Sequence, residues 1–285
     1  MATPAAYITG FVISRDGTKI GYRQMGEGPG VILVHGGLQA SQNFMVLGKA
    51  LADEFTVYIP DRRGRGLSGP FGDDYSLTAD AEDVHALVQQ TKAQNIFGLS
   101  SGAIITLQTA IMEPALKKVA LYEPPIPVDG VDHTIMERKY ESALIKGNLG
   151  KAMISIIRGT GDSSMFVVLP AFITAPFMNF AIKQQQKQVK GDDVSLKSLI
   201  PTFHYDSILV SNAKNIIDKS RNLKAEILLL GGSKSQKFLK MALDQLNTAL
   251  PGAKRVEFKG LGHIAASNGG KPGIIASELR SFFKE

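Results

Sequence analysis

Gly98-Leu99-Ser100-Ser101-Gly102 is the segment whose residue types point most directly to covalent chemistry. A serine hydroxyl is a weak nucleophile until a neighbouring base takes its proton. The pattern G-x-S-x-G suits a sharp strand-to-helix turn that exposes such a serine, since side chains two residues to either side would collide. That crowding chooses between the adjacent serines. Centring the turn on Ser101 would place Leu99 where a glycine is needed, so Ser100 is the nucleophile candidate. The base candidate is His263, in Leu261-Gly262-His263 after the last strand-like run. From a loop at a strand end it can take the Ser100 proton and return it to the leaving group.

Two further parts complete acyl chemistry. His35-Gly36-Gly37 ends the apolar run Val31–Val34. There the backbone N–H of Gly37 can pair with that of Ser101 to hold a developing oxyanion. His35 itself reads as structural. The acid that would orient His263 is commonly found after the strand Glu226–Leu230, but Gly231–Lys237 contains no carboxylate. Asp244 lies about 13 Å further along the following helix, too far to serve. Glu123, at the end of the strand Lys118–Tyr122 and followed by Pro124-Pro125, is the acid candidate. Its plainer reading is a strand-end carboxylate paired with a nearby Lys or Arg.

These residues must be positioned by alternating strands and helices. Continuous apolar runs at Val31–Val34, Phe55–Ile59, Asn95–Leu99, Lys118–Tyr122 and Glu226–Leu230, with Arg255–Phe258, read as strands of a mostly parallel sheet. Tyr7–Ser14 and Lys19–Met25 read as an edge hairpin around Arg15-Asp16-Gly17. Helices are expected over Ser41–Asp53, Ala79–Lys92, Gly102–Met112, Ser235–Leu250 and Lys271–Phe283, covering both faces. Residues 1–125 and 216–285 then form an α/β core. Residues 126–215 interrupt the alternation, with helices at Met136–Ile145, Leu149–Ile157 and Asn179–Lys190, and read as a lid over the strand ends. Leu38, Phe166, Leu169, Phe172 and Phe177 are candidate substrate-binding residues; those in the lid serve equally well as its core.

Composition narrows the classes. The 285 residues include no cysteine, which removes disulfides, thiolate metal sites and a cysteine nucleophile. Five histidines without i, i+4 pairing give no expectation of a metal, and nothing calls for a cofactor. The net charge of +6 is carried by scattered residues and short clusters such as Arg62-Arg63-Gly64-Arg65 and Lys183–Lys190. Without a nucleic-acid motif, a solvated basic surface is expected and nucleic acid is not. Asp61–Ser68 reads as an architectural loop, since it lacks a phosphate-binding glycine pattern. The charge-free stretch from Ser163 approaches spanning length only by crossing Pro170 and Pro176, so no membrane span is expected. The first ten residues lack signal-peptide character, and a cytoplasmic location is the default expectation. Oligomeric state is not legible.

His35-Gly36-Gly37, Asp61-Arg62-Arg63-Gly64-Arg65-Gly66-Leu67-Ser68, Gly98–Gly102 and Gly262-His263 together resemble the α/β-hydrolases over essentially the whole chain. The resemblance implies an α/β-hydrolase fold with the acid after the sixth strand. That placement is similar to some haloalkane dehalogenases and to the zearalenone-type lactone hydrolases. The former use an aspartate nucleophile, so Ser100 argues against dehalogenation and epoxide hydrolysis. The latter use Ser, Glu and His in these relative places and share a Ser-Ser-Gly-Ala elbow like Ser100–Ala103. The expected activity is acyl-enzyme hydrolysis of a carboxylic ester or lactone of an apolar or aromatic small molecule. Carbon–carbon bond cleavage or lyase chemistry on a ketone substrate with the same residues, and ligand reception with residual hydrolysis, remain alternatives.

Overall fold

A computed structural model describes residues 7–128, 134–160 and 169–284. Eight strands form one sheet in the order β1-β2-β4-β3-β5-β6-β7-β8. They are β1 (Ile8–Ile13), β2 (Lys19–Met25), β3 (Gly30–Val34), β4 (Thr56–Pro60), β5 (Asn95–Leu99), β6 (Lys118–Tyr122), β7 (Glu226–Gly232) and β8 (Lys254–Phe258). β1 pairs antiparallel with β2, and β2 with β4; every other pairing is parallel. The mostly parallel sheet and its edge hairpin are as the sequence suggests.

The apolar runs of the central strands are continuous because both faces are covered. In β3, Val31 and Leu33 face one core, while Ile32 and Val34 face the other. The first core packs against α1 (Met45–Leu51) and, from the far end of the chain, α11 (Pro272–Lys284). The second packs against α2 (Leu77–Thr91), α3 (Ser101–Met112) and α10 (Lys237–Ala249). α2 starts where Ser76 Oγ accepts the Ala79 N–H, and it stops at Lys92, whose φ of 57° ends the helical run.

Between β6 and β7 lie α4 (Thr134–Ile145), α5 (Leu149–Thr160) and α6 (Ala171–Gln188). They are followed by the short α7 (Leu196–Leu199), α8 (Phe203–Asn212) and α9 (Ile216–Ser220). The first three share their own core, built on Tyr140, Ala152, Ile154, Ile156, Met178 and Ile182. By contrast, Leu209 of α8 and Ile216 of α9 belong to the core beneath the sheet.

Two sequence expectations need correction here. The helix expected from Asn179 begins at Ala171 and runs through Pro176. Pro176 lies on the exposed side of that helix, so its missing N–H breaks no buried hydrogen bond. Nothing was expected over 196–220, where three short helices form; they are too brief for a clear apolar period. Among the described residues, no helix is long and apolar enough to cross a membrane.

Candidate active site

Ser100 follows the last residue of β5 and opens α3, with φ of 57°, in the left-handed region. The flanking glycines are sterically required. A Cβ at Gly98 would lie 2.4 Å from Thr106 Oγ1 and 2.5 Å from the Gly102 carbonyl oxygen. One at Gly102 would lie 2.4 Å from the carbonyl oxygens of both Val34 and His35. Such a backbone costs a non-glycine residue about 1–3 kcal/mol. Full burial of each large apolar side chain contributes about 1.5–3 kcal/mol, and β5 is buried along its whole length. The strand therefore holds the strained turn, helped by a 2.9 Å bond from the Ser100 N–H to the Tyr122 carbonyl.

Glu123 directly follows β6, also at positive φ (46°), and is fully buried. Its N–H donates to the Leu230 carbonyl at 3.1 Å. Glu123 Oε1 accepts the Gly232 N–H at 2.6 Å, and Oε2 lies 2.8 Å from His263 Nδ1. The end of β7, which carries no carboxylate of its own, thus serves the carboxylate at the end of the neighbouring β6. A Cβ at Gly231 would come within 3.2 Å of Glu123 Oε1. The loop carrying His263 is held by Tyr122, whose hydroxyl donates to the Gly262 carbonyl at 2.9 Å.

His263 Nε2 lies 3.0 Å from Ser100 Oγ. A carboxylate only accepts, so the proton shared with Glu123 sits on Nδ1, and Nε2 is left to accept from the serine. Serine, histidine and glutamate form one unbroken hydrogen-bonded chain. It is the arrangement that lets a hydroxyl oxygen become a nucleophile at neutral pH.

The N–H groups of Gly37 and Ser101 have no hydrogen-bond partner among the described residues, and both residues line the cleft holding Ser100 and His263. Ser101 begins α3, so its amide stands at the positive end of the helix. The Gly36–Gln39 loop is fixed from below. Arg65 donates to the carbonyls of Gly36 and Gln39, and the Gly36 N–H donates to Gln39 Oε1 at 3.0 Å. His35 is buried beneath it: Nδ1 bonds the Gly36 carbonyl and Nε2 accepts the Arg62 N–H. Burial, with Arg65 and Arg62 close by, holds its imidazole well below the ordinary histidine range, so it stays neutral.

The Arg62–Arg65 cluster is not solvated, contrary to expectation; its three arginines are buried. Each has found carboxylates. Arg63 pairs with Asp83 and Asp16, while Arg62 contacts Asp80 at 3.0 Å and Asp206 at 2.7 Å. Arg65 reaches the other oxygen of Asp206 at 2.6 Å. Asp206 Oδ1 also accepts the Ser101 hydroxyl at 2.8 Å. Burial pushes the Asp206 carboxyl up, but Arg65 and Arg62 more than offset it and hold it at about 2. Asp206, on α8, was missed by sequence reading. The signal available was three clustered arginines in a loop already judged architectural, since buried guanidinium groups require carboxylates.

The apolar wall of the cleft comes from Met136, Phe203, Val210, Phe238 and Leu239. Leu38, with φ of 56°, lines an adjoining arm with Met153, Ile156 and Ile157. The other substrate-binding candidates are not brought there. Leu169, Phe172 and Phe177 are exposed and line neither arm of this cleft. α6 turns Thr174, Ala175, Met178 and Ile182 inward, which leaves its phenylalanines pointing out. Phe166 lies outside the described residues. Among the described residues, no group of three or more His, Asp and Glu side chains could hold a metal ion.

Residues 29–269 match the model of the alpha/beta hydrolase fold family. The chain belongs to this family. It is therefore an α/β hydrolase with a serine at the elbow. Over 114 residues it is 34% identical to the uncharacterized hydrolase YraK of Bacillus subtilis strain 168, covering 39% of this chain and 42% of that protein. Over 131 residues it is 30% identical to the N-formylmaleamate deformylase of Pseudomonas putida KT2440, covering 44% of this chain and 49% of that one. The matched stretches span less than half the length of these curated relatives. An alpha/beta hydrolase from Sphaerobacter thermophilus DSM 20745 superposes with a TM-score of 0.74 at 25% identity, over 96% of this chain and 100% of its own.

Proposed function

We propose that this α/β hydrolase cleaves a carboxylic ester or lactone of an apolar or aromatic small molecule through an acyl-enzyme. The observation that carries the reading is the continuous chain Ser100 Oγ, His263 Nε2, His263 Nδ1, Glu123 Oε2, with both links within 3.0 Å. Ser100 Oγ attacks the acyl carbon as its proton passes to His263 Nε2. The carbonyl oxygen, now negative, faces the free N–H groups of Gly37 and Ser101. The imidazolium gives its proton to the departing alkoxide, which in a lactone remains tethered to the acyl group. Water then enters by the same route and releases the acid. Glu123 stabilises the imidazolium and fixes the Nδ1–H tautomer. Within residues 126–215, α4–α6 with their own core act as the lid, and the apolar wall of Met136, Phe203 and Val210 supports an apolar acyl or alcohol portion.

The test is intact-protein mass after exposure to a small fluorophosphonate, with peptide mapping. One stoichiometric adduct on Ser100 is expected. Folded protein that forms none would overturn the assignment of an activated serine and favour a ligand receptor. Aryl esters and lactones then form the substrate screen. The deformylase among the relatives adds N-formyl compounds to it, and a β-diketone covers carbon–carbon cleavage.

Glu123→Gln tests the acid separately. A glutamine amide group turned toward Nδ1 would donate, forcing the ring proton to Nε2, where it cannot accept from Ser100. Turnover should fall by about 10³–10⁴-fold, with the thermal midpoint close to that of the parent because Gln Oε1 still accepts the Gly232 N–H. Near-normal turnover in this variant would exclude Glu123 as the acid.

A further inference from the structure

α6 presents two unlike faces. Thr174, Ala175, Met178 and Ile182 turn inward, while Phe172, Phe177 and Phe180 are 73%, 68% and 63% exposed. At 100° per residue these phenylalanines share the outward side with Ile173, Lys183 and Lys187. Single exposed apolar residues are ordinary on protein surfaces, but three aromatic rings on one face of one helix are not.

Charge identifies what this face suits. Residues 134–190 contain eight Lys and Arg against three Asp and Glu, so this stretch carries +5 of the chain's net +6. Beside Phe172, a groove between α4 and α5 is lined by Arg138, Lys139, Lys146, Lys151 and Arg158. A second copy seated on the same face would bring +5 against +5, which opposes self-association. A surface of anionic headgroups over hydrocarbon complements both features at once. Phenylalanine rings enter the acyl boundary, while lysine stems lie along it and keep their ammonium groups among the phosphates. Since no described helix can cross a membrane, such a contact is peripheral.

We infer that the outer face of α4–α6 docks on a lipid bilayer surface rich in anionic headgroups. The docking face lies beside the cleft, because Met136 and Gly159 line both the basic groove and the pocket holding Ser100. An apolar substrate dissolved in the bilayer would meet the protein at that shared wall. The docking itself requires no turnover and stands independently of the reaction assigned to Ser100.

Flotation of the purified protein with phosphatidylcholine–phosphatidylserine vesicles tests the inference, with pure phosphatidylcholine vesicles as control. Binding is expected only with phosphatidylserine and should weaken with added salt. Lys183→Gln with Lys187→Gln should weaken it about 25-fold, at about fivefold for each lysine. Phe172→Ser, Phe177→Ser and Phe180→Ser together should weaken it by at least about tenfold. These side chains are exposed, so circular dichroism and thermal midpoints should match the parent. Three outcomes would overturn the docking: no binding to phosphatidylserine vesicles at low salt, binding indifferent to the triple replacement, or a dimer in solution that the triple replacement disperses.

Discussion

Ser100→Ala is expected to lower turnover of any ester or lactone substrate by about 10⁵-fold or more, with little change in the unfolding midpoint. The proposed reaction asks Ser100 for the attacking oxygen, and no other hydroxyl is hydrogen-bonded to His263 among the described residues. Alanine meets the same left-handed backbone as serine at this position, so the strain is unchanged and only one 3.0 Å hydrogen bond is lost. His263→Ala should cost about as much, and the double variant no more than either single one, because the two side chains act as a unit. Single-turnover kinetics on a chromogenic aryl ester would measure all three. Residual rates within tenfold of the parent in Ser100→Ala would remove Ser100 from the mechanism. Additive losses would remove the coupling with His263.

The second large effect is expected at Asp206. Its carboxylate lies between Arg62 and Arg65 in a fully buried setting. Removing one partner of such a cluster leaves uncompensated buried charge and typically costs about 3–5 kcal/mol. Asp206→Asn should therefore show a large drop in urea midpoint at neutral pH. Asp218→Asn, which breaks only an exposed i, i+3 pair with Arg221, should change stability by about 0.5 kcal/mol or less. The sign with pH is fixed. A carboxyl held at about 2, below its ordinary 3.8, stabilises the fold above pH 3.8 and loses that contribution as the pH falls through 2. The difference between parent and Asp206→Asn should be widest at neutral pH and shrink over that acid window. A midpoint indifferent to the substitution would show the cluster to be energetically neutral. Because Asp206 also accepts the Ser101 hydroxyl, turnover should fall more than substrate affinity in any folded fraction.

The contrast between these two sites explains what was readable from the chain. Ser100, His263 and Glu123, which the fold brings into one hydrogen-bonded chain, could be singled out because local constraints mark them. Gly98 and Gly102 mark the only register in which the turn closes, Pro124 and Pro125 mark the strand end, and the loop Gly231–Lys237 excludes its own acid by containing none. The strands were legible for a related reason: residues such as Val31–Val34, buried on both faces, leave a run without polar interruption. Asp206 carries no local mark. Its partners are more than a hundred residues distant in sequence, and the helix bearing it has only ten residues. The aromatic residues of α6 misled for the opposite reason. An apolar stretch without charge usually faces inward, whereas this helix satisfies its inner contacts with Thr174, Ala175, Met178 and Ile182.

The position of Glu123 has a consequence for recombining this enzyme with its relatives. The residue sits at the very point where the chain leaves the sheet, and its backbone N–H is still tied to the Leu230 carbonyl. A crossover made at the last residue of β6 would exchange the insert and disturb the glutamate in one cut. Chimeras that trade inserts should instead be joined beyond the Glu123-Pro124-Pro125-Ile126 exit, where Ile126 is already anchored in the core. The returning seam belongs before α8, so that Asp206 stays with the arginine loop it neutralises. In this architecture the interchangeable module is shorter than the interruption in the sheet, and its two ends are owned by the active site.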